Sequence, residues 1–199
     1  MFTGIIETVV PVLVAKKKGG CLVIRLKKPA QWKLRLGQSI TVDGICSTVT
    51  QLGTPFFEVE YMPETLKKTT VRDFQKGSWV NLERSLTLRD YIDGHLVSGH
   101  IDTRAKVAKI KEIGDTKEIT FAVPKAFMKY IVEKGSIAIN GISLTVVAAK
   151  GTAVSVALIP YTLTHTNLGL LKVRDSVNVE VDMVARYVEK MLGERKGSR

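Results

Sequence analysis

An internal repeat is the sequence feature that most constrains how this chain folds. Three separated segments match at a spacing of 97 residues: 43–49 (DGICSTV) with 140–146 (NGISLTV), 63–66 (PETL) with 160–163 (PYTL), and 80–83 (VNLE) with 177–180 (VNVE). Upstream, 3–7 (TGIIE) matches 98–102 (SGHID) at a spacing of 95, so two residues are gained before Lys134. A repeat of this kind predicts two domains of the same fold.

The repeat divides the chain into domains at 1–95 and 96–182, followed by a C-terminal segment at 183–199. Stretches such as 57–61, 136–140 and 177–181 alternate apolar and polar residues, and this period of two is typical of half-buried strands. Several short strands at close spacing favour a small closed barrel in each copy. The chain is therefore predicted to be mostly β.

A few helices interrupt the strand pattern. Pro63 and Pro160 are each expected to open a short helical turn, and Pro124 to begin another short helix. After Asp182, an apolar stripe at helical spacing predicts a C-terminal helix that ends in a polar tail from Gly193 onward. The stripe packs either on its own domain or, as we expect, on another subunit; it comprises Val184, Tyr187, Val188, Met191 and Leu192.

Composition limits the class of protein. Hydrophobic residues make up 45% and charged residues 25%, as in ordinary globular proteins. No apolar stretch reaches the ~20 residues that span a bilayer, and the first apolar run is followed by Lys16, Lys17 and Lys18 rather than preceded by them, so a cytoplasmic protein is expected. Two cysteines and three histidines lack zinc-site spacing, which argues against a metal. The net charge of +11 is scattered in short runs without interleaved aromatics, which favours a solvated surface over a nucleic-acid site.

Three motifs together resemble the riboflavin synthase family. They are the opening 1–7 (MFTGIIE), the segment 94–101 (GHLVSGHI), and the two copies of the Gly-Ile-(Cys/Ser)-x-Thr-Val motif, and their order spans nearly the whole chain. The resemblance implies two six-stranded antiparallel barrels, a C-terminal helix that helps to assemble a homotrimer, and active sites between barrels of neighbouring subunits. It also implies dismutation of two 6,7-dimethyl-8-ribityllumazine molecules without a cofactor, with lumazine synthase as a candidate partner.

The same resemblance implies a substrate site in each barrel. The first-barrel set is Gly4, Ile5, Ile6, Cys46, Ser47, Thr48, Glu60, Tyr61, Met62, Pro63, Glu64 and Thr65. The second-barrel set is Gly99, His100, Ile101, Lys134, Ser143, Leu144, Thr145, Ala157, Leu158, Ile159, Pro160, Tyr161 and Thr162. The candidate catalytic residues are Ser39, Cys46, His100, Lys134, Ser143, Thr145 and Asp182.

The two copies differ where chemistry is expected. Ile5, Gly37, Cys46 and Ser85 of the first copy correspond to His100, Lys134, Ser143 and Asp182 of the second, so the repeat predicts two unequal sites. The lumazine that donates carbon atoms must lose a proton from its 7-methyl group. A lysine neutralises the resulting anion, and hydroxyl groups orient the ring or relay the proton.

Several roles stay open on the sequence. The nucleophile that adds to the acceptor ring is water, a ribityl hydroxyl, Ser39 or Cys46, although we expect Cys46 to bind rather than attack. Asp182 acts in catalysis, caps the last helix, or does both. His100 transfers a proton or is structural, and the motif around it favours the first role. Phe2 either stacks on the ligand or packs in the core.

Two other functions compete with the enzyme. A lumazine protein keeps both barrels and binds the chromophore without converting it, but segments 98–100 and 143–145 should then be degraded, and both are intact here. A barrel that binds nucleic acid would use the basic surface, but the repeated motif carries small hydroxyl residues rather than stacking aromatics. Both comparisons favour the enzyme. Ser47 departs from the family pattern, which usually has an apolar residue there.

Overall fold

Two closed six-stranded antiparallel β-barrels account for most of the computed structural model, which describes residues 1–196. The first barrel consists of β1 (Thr8–Lys18), β2 (Cys21–Lys27), β3 (Ser39–Val42), β4 (Ile45–Leu52), β5 (Phe56–Tyr61) and β6 (Trp79–Arg84). The second consists of β7 (Thr103–Ile113), β8 (Thr116–Ala122), β9 (Ser136–Ile139), β10 (Ile142–Lys150), β11 (Ala153–Leu158) and β12 (Ser176–Val181). The barrels share one strand order, β1-β2-β5-β4-β3-β6 matching β7-β8-β11-β10-β9-β12, which confirms the duplicated, mostly β fold.

Each barrel encloses its own hydrophobic core. Along β2 the residues Leu22, Ile24 and Leu26 are buried while their neighbours are not, as the period-two pattern requires. In the second barrel Ile119 and Phe121 of β8 are fully buried in the same way. Burying a side chain of this size contributes roughly 1.5–3 kcal/mol to the free energy of folding, so the two interiors supply most of the favourable free energy of folding.

Short helices occupy equivalent places in the two copies. Helices α1 (Pro63–Lys68) and α2 (Pro160–His165) both begin at proline, as predicted. Each is followed by a 3₁₀ turn, Thr70–Asp73 in the first copy and Asn167–Leu170 in the second. A further 3₁₀ segment, Lys125–Tyr130, follows Pro124, where the sequence predicted a short helix.

The barrels pack against each other about a local twofold axis. The turns that carry Gly44 and Gly141 meet there, and a Cβ on Gly44 would lie 2.6 Å from the Gly141 nitrogen. Both glycines have positive φ, so glycine is needed for the turn and for the close approach. Asn81 and Asn178, which are equivalent, then cross the junction reciprocally: Asn81 Nδ2 donates to the Asn140 carbonyl (3.0 Å), and Asn178 Nδ2 donates to the Asp43 carbonyl (2.9 Å).

Helix α3 (Met183–Lys196) follows the second barrel and is tied to it by ion pairs. Arg186 pairs with Asp102 (3.2 Å), and Lys129 pairs with Glu189 (2.7 Å). The helix continues past Gly193, where the sequence predicted a polar tail, because residues 194–196 are good helix formers. Residues 197–199 of that tail lie outside the described residues. The predicted apolar stripe is exposed in the single chain, with exposed fractions between 48% and 66%.

In the described part of the chain, no helix has the length and hydrophobicity needed to cross a bilayer.

Candidate active site

The repeated motif places Cys46 and Thr48 on the outward face of β4, and Ser143 and Thr145 on the outward face of β10. On β4, Ser47 points into the barrel and is buried, whereas Cys46 and Thr48 point outward. On β10, Leu144 packs on the core while Thr145 is exposed. Alternation along each strand therefore separates residues that can meet a ligand from residues that hold the barrel together.

Neighbouring strands extend these positions into a row across each barrel, and we call the two rows the motif faces. In the first barrel Ser39 pairs directly with Thr48, and in the second Ser136 pairs with Thr145. Thr48 precedes Val49, which pairs with Val59 of β5, so Glu60 lies next to Thr48 in the row. The equivalent position in the second row is Ala157. The first motif face thus has a carboxylate at a position where the second has a methyl group.

Lys134 stands beside the second motif face in an unusual backbone conformation. Its N–H donates to the Val146 carbonyl (2.8 Å), which fixes it next to Thr145, and its side chain is exposed. Its φ is +63°, while the equivalent Gly37 has φ +78°. A non-glycine residue in this region costs about 1–2 kcal/mol. Lys134 therefore takes a strained backbone conformation at a position where the first copy has glycine.

The segment that leads into each barrel lies on the motif strand of the other barrel. The Ser143 N–H donates to the Gly4 carbonyl (2.8 Å), and the Cys46 N–H donates to the Gly99 carbonyl (2.8 Å). Ile6 packs on the second core and Ile101 on the first. The grouping of Gly4, Ile5 and Ile6 with Cys46, and of Gly99, His100 and Ile101 with Ser143, is therefore wrong within one chain.

Each leading segment thus contacts the opposite barrel, and the local twofold axis makes the two contacts equivalent. The repeat shows which residues are equivalent but not which barrel each segment contacts. His100, which comes directly after Gly99 and has an exposed side chain, thus follows the segment bound to the first barrel. A Cβ on Gly99 would lie 2.6 Å from Cys46 Cβ, and one on Gly4 2.7 Å from Ser143 Cβ, so only glycine allows this contact.

Two equivalent glutamates hold the leading segments in place. Glu83 accepts hydrogen bonds from the N–H (2.6 Å) and hydroxyl (2.7 Å) of Thr3 and from the Gly4 N–H (3.1 Å). Glu180 does the same for Ser98 and Gly99, at 2.6–2.9 Å. Burial raises the pKa of both carboxyl groups, and these hydrogen bonds partly oppose the rise. The repeated segments 80–83 and 177–180 therefore each end in the glutamate that holds a leading segment in place.

His95 is a site residue that sequence reasoning missed. Its Nδ1 lies 2.7 Å from the Ser143 hydroxyl oxygen, and its Nε2 is buried with no hydrogen-bond partner among the described residues. Burial lowers the pKa of His95, against the opposing charge of Asp182. An imidazole that stays neutral is able to accept the Ser143 proton. His95 has no counterpart in the first copy, so the repeat could not reveal it. Its position inside the motif 94–101 was the one feature of the sequence that could have identified it.

Asp182 caps helix α3. Its Oδ1 accepts a hydrogen bond from the Val184 N–H (2.9 Å), which confirms the capping role expected from sequence. Its negative charge opposes the lowering of the His95 pKa by burial.

Cys46 and Phe2 sit in an apolar cluster between the barrels. Phe2 is fully buried and exchanges backbone hydrogen bonds with Val97 (2.8 and 3.0 Å). Ala138 of the second barrel completes the cluster, and Cys46 packs against it. Phe2 is therefore a core residue rather than a residue that stacks on the ligand.

Some residues assigned to the substrate sites point into the barrels. The Ser47 hydroxyl lies 2.7 Å from the Tyr61 hydroxyl, and both side chains are buried. This pair explains why serine replaces an apolar residue at 47, since it satisfies the buried phenol. Leu158 is likewise part of the second core. These three side chains are unavailable to a ligand, because strand alternation turns them inward.

The remaining predicted residues form the rims of the motif faces. Met62 and Ile159 precede α1 and α2 and are 62% and 59% exposed. Tyr161 stacks on His165 with ring centroids 4.0 Å apart. Pro63, Glu64, Pro160, Thr65 and Thr162 belong to the first turns of these helices, at the surface or partly buried. Within the described residues no cluster of three His, Cys, Asp or Glu side chains could hold a metal ion.

The fold and the paired motif faces define a lumazine-binding protein built from two copies of one domain. The family model of the lumazine binding domain matches the chain twice, at residues 3–85 and 98–182. Among solved structures, LumP in complex with riboflavin superposes with a TM-score of 0.84 at 24% identity, covering 91% of this chain and 99% of LumP. This likeness confirms the two-barrel fold.

Sequence relatives identify the family more narrowly. The riboflavin synthase of Actinobacillus pleuropneumoniae is 39% identical over 193 residues, which cover 96% of this chain and 90% of the relative. The riboflavin synthase of Bacillus subtilis is 37% identical with the same coverage, and that of Escherichia coli is 39% identical over 205 residues, covering 100% of this chain and 96% of the relative. The chain belongs to the riboflavin synthase family.

Proposed function

We propose that this chain catalyses the dismutation of two 6,7-dimethyl-8-ribityllumazine molecules. One molecule donates a four-carbon unit to the other, giving riboflavin and 5-amino-6-(D-ribitylamino)uracil, the last step of riboflavin biosynthesis. The observation that carries the proposal is the pair of motif faces, which share one backbone geometry and differ in chemistry. Such a pair binds the same molecule twice in two electronic roles, as a dismutation requires.

The second motif face is suited to the lumazine that loses a proton. Loss of a proton from the 7-methyl group leaves an anion spread over the ring, and the exposed Lys134 ammonium group lies where it can neutralise that charge. The Ser143 hydroxyl, paired with His95 at 2.7 Å, relays the proton to an imidazole whose pKa is lowered by burial. Thr145 orients the ring edge from the same strand face.

The first motif face is suited to the acceptor lumazine. It presents Ser39, Thr48 and Glu60 in a row. Cys46 lies two residues before Thr48 on the same face of β4, with its side chain packed against the Phe2 cluster. That apolar packing supports a binding role for Cys46. Water, a ribityl hydroxyl and Ser39 then remain as the nucleophile that adds to the acceptor ring.

A homotrimer with active sites between subunits is part of the proposal. Thr48, Thr145 and Lys134 are exposed in the single chain, so a neighbouring barrel is needed to enclose the reacting molecules. The exposed stripe on α3 supplies an apolar surface for that assembly, because ion pairs rather than the stripe tie α3 to its own barrel. We place the protein in the cytoplasm, with lumazine synthase as a candidate partner.

Assembly is tested with Tyr187→Ser/Met191→Ser. We expect this variant to sediment as a monomer and to lose riboflavin formation, while the control Ile113→Ser, which alters an exposed apolar residue on β7, behaves as the unchanged protein. Analytical ultracentrifugation at several concentrations measures the oligomeric state of each variant, and a riboflavin assay measures its activity. If the variant remained a trimer, the proposal that α3 forms the subunit interface would be wrong.

Proton loss is tested by deuterium exchange at the 7-methyl group. With substrate and protein in D₂O, proton NMR should show that the 7-methyl signal disappears faster than in buffer alone. Ser143→Ala should slow this exchange by about tenfold or more, because it interrupts the relay to His95. A protein that only binds lumazine would leave the exchange rate at or below that of the free compound.

A further inference from the structure

The local twofold axis relates two clefts along the junction of the barrels, and the two have diverged in opposite directions. One cleft lies between β7 and α1 with the turn that follows it, and the other lies between β1 and α2 with its turn. Each measures about 610 Å³, within the range of roughly 300–1,000 Å³ usual for small-molecule sites. We call them the basic cleft and the aromatic cleft.

The lining residues show the divergence at equivalent positions. The basic cleft is lined by five cations, Lys67, Lys68, Arg72, Arg104 and Lys106, and by two carboxylates, Asp73 and Asp102. At the positions of Lys67, Lys68 and Arg104 the aromatic cleft has Thr164, His165 and Val9. Glu7 is the one carboxylate among the described residues that line it. Ser176 of the basic cleft corresponds to Trp79 of the aromatic one.

The two carboxylates of the basic cleft position some of its cations but are too few to neutralise all five. Asp73 lies 3.5 Å from the Arg72 guanidinium and 3.9 Å from that of Arg104, so one carboxylate is shared between two arginines from different barrels. Asp102 is already engaged by Arg186 of α3 (3.2 Å) and by the Val181 N–H (2.9 Å). The Arg104 side chain is only 28% exposed, so it is held in place more firmly than a surface lysine.

We propose that the basic cleft is a binding site for a small phosphate-bearing ligand. Two arginines oriented by a shared carboxylate match the forked geometry by which guanidinium groups bind phosphate, and the lysines add charge around them. The Thr103 and Ser176 side chains at the cleft are further candidate donors. Among the described residues no aromatic side chain lines the cleft, so these residues provide no stacking surface of the kind by which proteins bind single-stranded nucleic acid. This site is separate from both motif faces.

The test compares pyrophosphate binding by the wild type and by Lys67→Thr/Arg104→Val, measured by titration calorimetry at fixed ionic strength. The substitutions copy the residues of the aromatic cleft. A matched control, Lys17→Thr/Arg35→Val, removes the same charges from exposed positions elsewhere. We expect one site in the wild type, binding weakened about tenfold or more in the cleft variant, and a change below about twofold in the control.

Absence of binding, or equal weakening in both variants, would overturn the proposal, since the second result would reflect only the net charge. Tighter binding of a twelve-nucleotide single strand than of pyrophosphate would overturn it in favour of nucleic acid. Lys67→Thr alone, at an exposed position, tests the cleft if the double variant fails to fold. Riboflavin formation should stay within about twofold of the wild type in the cleft variant, so failure here is distinguishable from failure of the proposed activity.

Discussion

At the scale of single residues, the differences between the two copies matter more than their likeness. Lys134 takes a left-handed conformation that Gly37 takes in the other copy, and Ser143 is paired with a histidine while Cys46 packs among apolar groups. The alignment of the repeat predicted that lysine at 134 replaces glycine at 37 and that serine at 143 replaces cysteine at 46. It did not predict the pairing, because His95 lies outside every repeated segment.

Replacing Lys134 by glycine should separate function from stability. We expect Lys134→Gly to raise the free energy of unfolding by about 1 kcal/mol, because glycine adopts φ +63° without steric cost. We also expect it to reduce kcat by roughly a hundredfold, because the charge that stabilises the donor anion is lost. Urea unfolding and a riboflavin assay measure the two effects. Unchanged turnover would remove Lys134 from the mechanism.

At the scale of structural elements, the decisive feature is the exchange of leading segments between barrels. Periodicity and proline predicted the strands and the short helices, because these depend on residues close in sequence. The contacts of Gly4 with Ser143 and of Gly99 with Cys46 join residues from opposite barrels, and a repeat alone does not specify how its copies pack. The burial of Ser47 against Tyr61 depends on how β4 and β5 pair within the first barrel, so it became evident only from the strand register.

The close approach of Gly99 predicts a difference between two glycine substitutions. Gly77→Ala should cost about 1–2 kcal/mol, because its positive φ disfavours a side chain although open space surrounds it. Gly99→Ala has the same backbone cost and also places Cβ 2.6 Å from Cys46 Cβ, which adds about 1–3 kcal/mol. Urea unfolding of both variants measures the difference. Equal losses of stability would mean that the leading segment does not pack on β4.

At the scale of the whole molecule, a buried polar network holds the barrels in one arrangement. Asn167 is its centre: its Nδ2 donates to Asp43 Oδ1 (2.9 Å), and its Oδ1 accepts from Asn81 Nδ2 (2.9 Å). Asp43 corresponds to Asn140, so the first copy places an acid where the second has a neutral amide. Burial raises the pKa of the Asp43 carboxyl to about 7, against hydrogen bonds from Asn81 and Asn167.

This shift makes the stability of the junction depend on pH. The carboxyl ionises near its ordinary value of 3.8 in the unfolded chain and near 7 in the folded one, so stability falls as the pH rises between these values. Asp43→Asn keeps the Oδ1 acceptor and cannot ionise. We expect it to stabilise the protein by on the order of 3 kcal/mol at pH 8 and by much less at pH 4. Denaturant unfolding at both pH values measures this, and an equal effect at both would contradict the buried acid.

The central claim is that two lumazine molecules react with each other on unequal faces. The most direct measurement is the stoichiometry of the reaction: purified protein is incubated with 6,7-dimethyl-8-ribityllumazine and a chelator, and substrate and products are quantified by chromatography. We expect one riboflavin and one 5-amino-6-(D-ribitylamino)uracil for every two lumazines consumed. Tight binding of lumazine without formation of riboflavin would contradict the dismutation.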